Sequence, residues 1–413
     1  MSDSVQVPDG WVYGAIGDCV SRIGDGGTPA TSNEEYYGGN IAWVVVHDIT
    51  RSIKKTNSYI TELGLKKSSA KLWQKNSVII STGATIGEVG IAQIPLATKQ
   101  GIAGIECNNK CLPEFLYYSL IFKKLHILSL AQGSTIKEVR TPILVKIPLL
   151  IPPLPEQKKI ASILTSIDNV IEKTEAQISK LQDLKKGMMT ELLTTGIGHT
   201  EFKDSPVGRI PKSWGVMRLG DLFTFKNGVN ASGDKFGLGI KFINLKEVLE
   251  NDSLTYKDIP GSVTLDEKEI ENNLVEYGDV LFNRTSETQN ELGLTAVYLD
   301  NKAVVFGGFV IRARPLGDTF IPTFLRYAFN SKFIRNEITT RGQGAIRANI
   351  GQTELKQIHI SCPSHSEQKK ISCMLSSIDS NMLKKQQKLS HTKSLKKALM
   401  NDLLTGKKRV TVN

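Results

Sequence analysis

A chain of 413 residues is long enough for two or three domains with cores of their own, and its longest apolar run, residues 143–154, is too short and too proline-broken (Pro148, Pro152, Pro153) to span a bilayer, so no membrane partner is expected. The five cysteines, Cys19, Cys107, Cys111, Cys362 and Cys373, are odd in number and scattered, and Met1-Ser2-Asp3-Ser4 opens no signal peptide; free thiols in a reducing cytoplasm are expected. The net charge of +11 hints at a polyanionic partner, and much of the excess sits in residues 367–413, with 11 basic and 3 acidic side chains.

The chain opens Val7-Pro8-Asp9-Gly10-Trp11, then Ile16-Gly17-Asp18. Residues 41–49 are β-branched and aromatic and are predicted as strand. A basic stretch follows, in which Arg51, Lys54, Lys55, Lys66, Lys67, Lys71 and Lys75 face a single acid, Glu62. Val78-Ile79-Ile80-Ser81 reads as a strand running into the turn Thr82-Gly83-Ala84-Thr85-Ile86-Gly87, and residues 89–94 as the next strand. Phe115, Leu116, Leu120, Leu125 and Leu128 give residues 113–130 a helical spacing. The loop Gln132-Gly133-Ser134-Thr135-Ile136 comes after it.

A long helix is predicted next. Pro152-Pro153-Leu154-Pro155-Glu156-Gln157 opens it, with a proline near the first helical position and an acid in the first turn. Ile160, Ile163, Leu164, Ile167, Val170, Ile171, Ile178, Leu181, Leu184, Met188 and Leu192 form one apolar stripe, and Gly196 supplies a stop. The same text recurs 211 residues later: of the 39 positions from Glu156 to Thr194, 18 are identical without a gap, including Glu367-Gln368 and Ile378-Asp379. A stripe this long needs a partner, and the nearest is the other copy.

The repeat extends beyond the helices. Ile210-Pro211-Lys212-Ser213-Trp214 and Leu219-Gly220-Asp221 repeat the opening of the chain at an offset of 203, so the second half carries about eight extra residues, expected in loops. Residues 279–282, 295–299 and 304–312 are predicted strands, and 322–338 a helix. Pro113, Phe115, Leu116 and Tyr118 match Pro322, Phe324, Leu325 and Tyr327, and Gln132-Gly133 matches Gln343-Gly344. A second basic run, Lys302, Arg312, Arg314, Arg326, Lys332, Arg335, Arg341 and Arg347, faces only Asp318 and Glu337. Together the two runs suggest phosphate contacts in both halves. The architecture is therefore α+β domain, long helix, α+β domain, long helix.

Catalytic patterns do not emerge. Gly83 and Gly87 are too close for a phosphate-binding loop and no Lys-Ser or Lys-Thr follows them. No strand-to-helix glycine turn marks a dinucleotide site. Cys107 and Cys111 have a tolerable metal spacing but no second pair, and His47, His126, His199, His359, His365 and His391 are scattered. Asp266-Glu267-Lys268 could pass for part of a nuclease motif, but such a centre needs an additional acid on an adjacent strand, and this acidic run reads as exposed loop.

The Pro-Pro-Leu-Pro-Glu-Gln opening with Ile160, Leu164, Ile167 and Asp168, its second copy at Glu367-Gln368, the Trp-containing domain openings, and the 82–87 and 132–135 loops resemble the specificity subunit of type I restriction–modification systems, over the whole chain. The resemblance implies two similar target-recognition domains, 1–151 and 197–366, each reading one half of a bipartite asymmetric site in double-stranded DNA. It implies two spacer helices, 152–196 and 367–413, that pair as an antiparallel coiled coil and dock two adenine-methyltransferase subunits. Those modification subunits would carry S-adenosylmethionine, and motor-nuclease subunits would bring ATP and Mg; this non-catalytic chain would bind no cofactor and no metal itself. The second copy departs from the pattern at Cys362-Pro363-Ser364-His365-Ser366, where Ser364 or Ser366 is the candidate cap.

DNA reading needs side chains that reach base edges and cations that hold phosphates. The candidates in the first domain are Lys54, Lys55, Lys66, Lys67, Thr82, Thr85, Lys99, Gln100, Ser134, Thr135 and Lys137. In the second they are Lys226, Asn283, Arg284, Thr285, Arg341, Gln343, Arg347 and Asn349. Two other readings stay open at this point: a stand-alone two-headed DNA-binding regulator, and an enzyme in its own right.

Overall fold

All four residues of the strand Val78–Ser81 are buried, and so are all four of Val280–Asn283. Continuous β-branched and apolar runs of this kind suit strands covered on both faces, and each sits at the centre of a five-stranded sheet. The computed structural model describes residues 7–133, 137–344 and 348–412. The chain divides into two units, Met1–Ala176 with Gln387–Asn413, and Gln177–Gln386.

In the first unit the five-stranded sheet runs Val20–Asp25, Ile102–Cys107, Val78–Ser81, Val89–Ala92, Ser52–Ile53. A four-stranded sheet runs Ser58–Ile60, Tyr37–Val44, Leu96–Thr98, Leu72–Trp73. The second unit repeats both orders: Phe223–Asn227, Val310–Pro315, Val280–Asn283, Thr295–Tyr298, Ser253–Leu254, and Ser262–Val263, Phe236–Ile243, Val304–Phe306, Leu274–Val275. The fold is thus written twice in mixed α and β structure. Four of the second copy's extra residues fall in one loop: 284–294 links the strands that the shorter 82–88 links in the first.

The predicted helix at 113–130 is two helices, Pro113–Phe122 and Lys124–Ser129, and that at 322–338 is Pro322–Ala328 and Lys332–Arg341. The predicted strand at 304–312 is likewise broken, because Gly307 and Gly308 turn the chain between Val304–Phe306 and Val310–Pro315.

The long helices are Leu154–Leu192 and His365–Leu404. Ser364 caps the second, its hydroxyl accepting from the Glu367 N–H at 3.3 Å. Each unit takes the start of one long helix and the end of the other. In the first, Ile160 and Leu164 share a core with Met400, Leu403 and Leu404. In the second, Ile371 and Leu375 share a core with Leu192 and Leu193. The pairing is antiparallel: Lys396 meets Asp168 at 2.6 Å and Lys393 meets Glu175 at 2.7 Å in the first unit, and Lys185 meets Asp379 at 2.6 Å in the second. Partly exposed ion pairs contribute little stability, so their value here is in fixing register.

The repeated Glu-Gln motif is an anchor. Gln157 is fully buried; its Oε1 accepts from the Leu112 N–H and its Nε2 donates to the Lys110 and Pro152 carbonyls, all at 2.8 Å. Gln368 does the same with the Ile321 N–H at 2.8 Å and the Thr319 and Pro363 carbonyls at 2.9 Å. Glu156 accepts from the Trp11 indole at 3.2 Å and pairs with Arg409. Glu367 accepts from the Trp214 indole and the Ile197 N–H, both at 2.8 Å, and contacts His199 at 2.9 Å. Gly196 and Gly406 turn the chain back from each helix end with φ of +66° and +70°, where a Cβ would strike Glu367 and Pro8 respectively. Further along, the Tyr118 hydroxyl donates to Asp168 and that of Tyr327 to Asp379, both at 2.8 Å. Burial, foremost, pushes both phenols well above their ordinary value, so they remain donors.

The thiols differ in reactivity. Burial pushes Cys362 up to about 11, whereas Cys373 is exposed on the second long helix. At pH 8 roughly one Cys362 thiol in a thousand is thiolate. Iodoacetamide at that pH is expected to modify Cys373 and spare Cys362, as peptide mass spectrometry would read. Equal labelling of the two would contradict this burial.

Candidate nucleic-acid interface

In the first unit three turns meet at the end of the central strand. The Thr82 and Gly83 N–H groups donate to the Gly101 carbonyl at 2.8 and 3.1 Å, and the Val139 N–H donates to the Thr82 carbonyl at 2.8 Å. Gln132 and Glu138 exchange both backbone hydrogen bonds, at 2.9 and 2.8 Å. This brings Thr85, Lys99, Gln100 and Lys137 onto one group of turns, all four exposed. Lys99 leans over the Trp43 ring, 6.0 Å from its centroid.

Thr82 itself is a correction. Its side chain is fully buried, because its backbone is the joint between the other two turns; it holds the site and cannot touch DNA. Ser134 and Thr135 lie outside the described residues. Lys54, Lys55, Lys66 and Lys67 are exposed but sit on other elements, between the edge strand Ser52–Ile53 and Ser58–Ile60 or on and just after the helix Glu62–Lys66. Arg51 of the same basic stretch is turned inward onto the first long helix, with Glu172 at 2.9 Å and Asn169 at 2.6 Å.

The second unit builds the same frame from different residues. The Arg284 N–H donates to the Phe309 carbonyl, and the Ile350 N–H to the Arg284 carbonyl, both at 3.0 Å. Thr285 pairs with Asn349, which exchanges bonds of 2.9 and 2.8 Å with Gln343. Arg284, Gln343 and Asn349 are exposed and Thr285 is half-buried. Arg341 is half-buried and paired with Glu337 at 2.8 Å. Arg347 lies outside the described residues.

Two further candidates change role. Asn283 is fully buried; its Nδ2 donates to the Glu291 carbonyl at 2.9 Å and its Oδ1 accepts from the Thr285 N–H at 3.0 Å. It shapes the long 284–294 loop and does not face outward. Lys226 donates to the Asn272 carbonyl, and its ammonium is pushed down by burial and by Arg312 and Arg314.

Half of the second basic run, Arg312, Arg314, Arg326 and Arg335, is also turned inward. Arg314 holds Asp279 at 2.8 Å and Glu276 at 2.6 Å, Arg326 holds Asp252 at 2.8 Å and Asp379 at 3.1 Å, and Arg335 donates to the Asn290 and Leu292 carbonyls. Their acids lie before residue 300 or on the second long helix, out of sight of a local charge count. Phe309, which sequence reasoning did not single out, is 57% exposed between the buried Gly307 and Val310, in a turn concealed by the apparent continuity of 304–312. Its signal was the Gly-Gly pair before it.

Among the described residues, no group of three or more His, Cys, Asp or Glu side chains is placed to hold a metal ion, and no helix is long and apolar enough to cross a membrane. What the turn clusters offer is a set of amide, hydroxyl and cationic donors at the edge of each unit, the chemistry that meets base edges and phosphates.

The sequence pattern of the type I restriction modification DNA specificity domain matches residues 8–183 and again 211–391. The type I restriction enzyme MjaIX specificity subunit of Methanocaldococcus jannaschii is 25% identical over 424 aligned positions, covering 99% of this chain and 96% of the relative. The putative MjaX specificity subunit of that organism is 33% identical over 319 positions, 73% of this chain and 70% of its own. Among solved structures, the S subunit of a type I restriction–modification system from M. genitalium aligns with a TM-score of 0.59 at 15% identity, covering 100% of this chain and 99% of that one. At that identity the likeness is one of fold.

Proposed function

Because the chain belongs to the family of type I restriction–modification DNA specificity subunits, we propose that each unit reads one half of a bipartite, asymmetric site in double-stranded DNA. The observation that carries this is the turn cluster built twice on one backbone frame. Thr82, Gly101, Gln132 and Glu138 occupy in one unit the positions that Arg284, Phe309, Gln343 and Asn349 occupy in the other. A shared frame with exchanged side chains is what two readers of different half-sites need.

In this reading the paired long helices set the separation of the half-sites and dock two modification subunits, one for each copy of the repeat. The chain is non-catalytic: it reads and recruits in the cytoplasm. Methyl transfer from S-adenosylmethionine to adenine belongs to the modification subunits, and ATP- and Mg-dependent cleavage to motor-nuclease subunits. The test is to express the chain with its modification subunit, weigh the purified complex, and map methylated adenines in the cells. Two modification subunits and one split motif are expected. A chain that binds one sequence tightly alone, with no partner, would favour a stand-alone regulator.

Within this reading Arg284→Ala is expected to relax the second half-site only. If its guanidinium reads guanine through two hydrogen bonds, discrimination at that base pair falls by about 1–3 kcal/mol. Methylation mapping of the variant checks it. A motif unchanged at every position, with unchanged activity, would remove Arg284 from the interface.

A further inference from the structure

The turn at Gly307-Gly308-Phe309 is held on several sides by backbone bonds. The Gly307 N–H donates to the Ile243 carbonyl at 3.0 Å, the Gly308 N–H to the Val229 carbonyl at 2.9 Å, the Val310 N–H to the Gly307 carbonyl at 2.9 Å, and the Phe309 carbonyl accepts from Arg284 at 3.0 Å. A Cβ on Gly307 would strike the buried Phe242 ring, and one on Gly308 would displace the Asn230 side chain. A backbone fixed this firmly nevertheless leaves Phe309 57% exposed, and the ring contacts of the described residues do not include it. Its neighbours in the frame are polar: Arg284 through the direct bond, then Thr285, Asn349 and Gln343 through the ladder. The first unit has Gly101 at the same place.

Resting on the DNA-reading function above, we propose that Phe309 is a specificity-determining residue that reads the 5-methyl group of a thymine in the major groove of the second half-site. An aromatic ring among amide and guanidinium donors matches the major-groove edge, where thymine alone presents a methyl group and Arg, Asn and Gln pair with guanine and adenine. In a minor groove the same ring would act as a wedge between base steps and read no methyl group, so the uracil substitution below separates the two grooves. Holding the ring on a braced turn means that little ordering remains to be done on binding.

The test uses the chain purified with the subunits it carries and duplexes of its mapped motif, with thymine replaced by uracil at one position at a time. Uracil keeps the pairing and loses only the methyl group. One position in the second half-site is expected to lower wild-type binding about fourfold, the factor that burying one methyl group is worth. Phe309→Ala should bind the thymine duplex more weakly and no longer distinguish uracil from thymine there, while the first half-site stays as before. Phe309→Leu, which keeps an apolar side chain, should retain part of the discrimination and guards against a folding defect in the alanine variant. A wild-type protein indifferent to uracil throughout the second half-site overturns the inference, as does Phe309→Ala discriminating as well as wild type. A wild-type complex that reads no defined sequence removes the DNA-reading function and this inference together; one that reads its motif but ignores the methyl removes the inference alone.

Discussion

Gln368→Leu is expected to destabilise the second unit by about 3 kcal/mol, and Gln157→Leu the first by a similar amount. Leucine keeps most of the volume, so the cavity term is small and the loss comes from hydrogen bonding. Each substitution leaves one part-buried N–H, of Ile321 or Leu112, and two carbonyls, of which that of Pro363 or Pro152 is buried, without their side-chain partner. An unmade buried bond costs about 1–3 kcal/mol; the carbonyls, with a second lone pair, fall at the low end. For a unit of about 200 residues this is roughly 6–12 °C in Tm. The tryptophans separate the units: Trp214 lies in the second, and Trp11, Trp43 and Trp73 lie in the first. Fluorescence-detected melting of a variant with Trp214 as its single tryptophan should shift with Gln368→Leu and not with Gln157→Leu. A shift below about 1 °C, or equal shifts from either substitution, would mean that the glutamines do not anchor the helices locally.

The anchors explain why so much of the architecture was legible. Trp, Glu, Gln, Tyr and Asp recur at matched spacings because each makes a bond that the fold requires in both units: indole to Glu, buried Gln to three backbone groups, phenol to Asp. A repeat of this kind is seen by aligning the chain with itself, and the apolar stripe then identifies the helices. Antiparallel pairing was reached only through resemblance, since periodicity does not give direction.

Sequence shows where the candidate turns lie but not which of their side chains face outward. A turn such as 82–87 or 283–286 shows in composition, but which of its residues faces inward depends on partners far along the chain. Thr82 is buried by the bonds from Val139 and to Gly101, and Asn283 by its bond to Glu291. Arg312, Arg314 and Arg326 looked like a basic face because their acids, Asp279, Asp252 and Asp379, stand 33 to 74 residues away in sequence. Phe309 was hidden by the opposite effect: hydrophobic neighbours on both sides made a turn resemble a strand.

The spacer should respond to length in whole steps. The first unit holds the start of the first long helix and the end of the second, and the second unit holds the reverse. Lengthening one helix alone leaves the pair unequal, so the clean change duplicates four residues in each: Thr-Glu-Leu-Leu after Leu193 and Asn-Asp-Leu-Leu after Leu404. Each duplication regenerates the leucine pair that packs at the helix end, Leu192 with Leu193 and Leu403 with Leu404. Four helical residues add about 6 Å and about 400° of rotation, a net turn near 40°. One base pair adds about 3.4 Å and, at roughly 10–10.5 pairs per turn, about 35°. Rotation decides, because a reader facing away from its groove makes no base contacts, whereas a few ångströms can be taken up by bending the duplex. The doubly extended chain is therefore expected to methylate the same two half-sites with a gap one base pair longer, and either single duplication to be less active than the double. Methylated-site mapping in cells that carry only the altered chain reads both results. An unchanged gap at full activity would show that the helices do not set the separation, and altered half-site sequences would show that the two units are not independent readers.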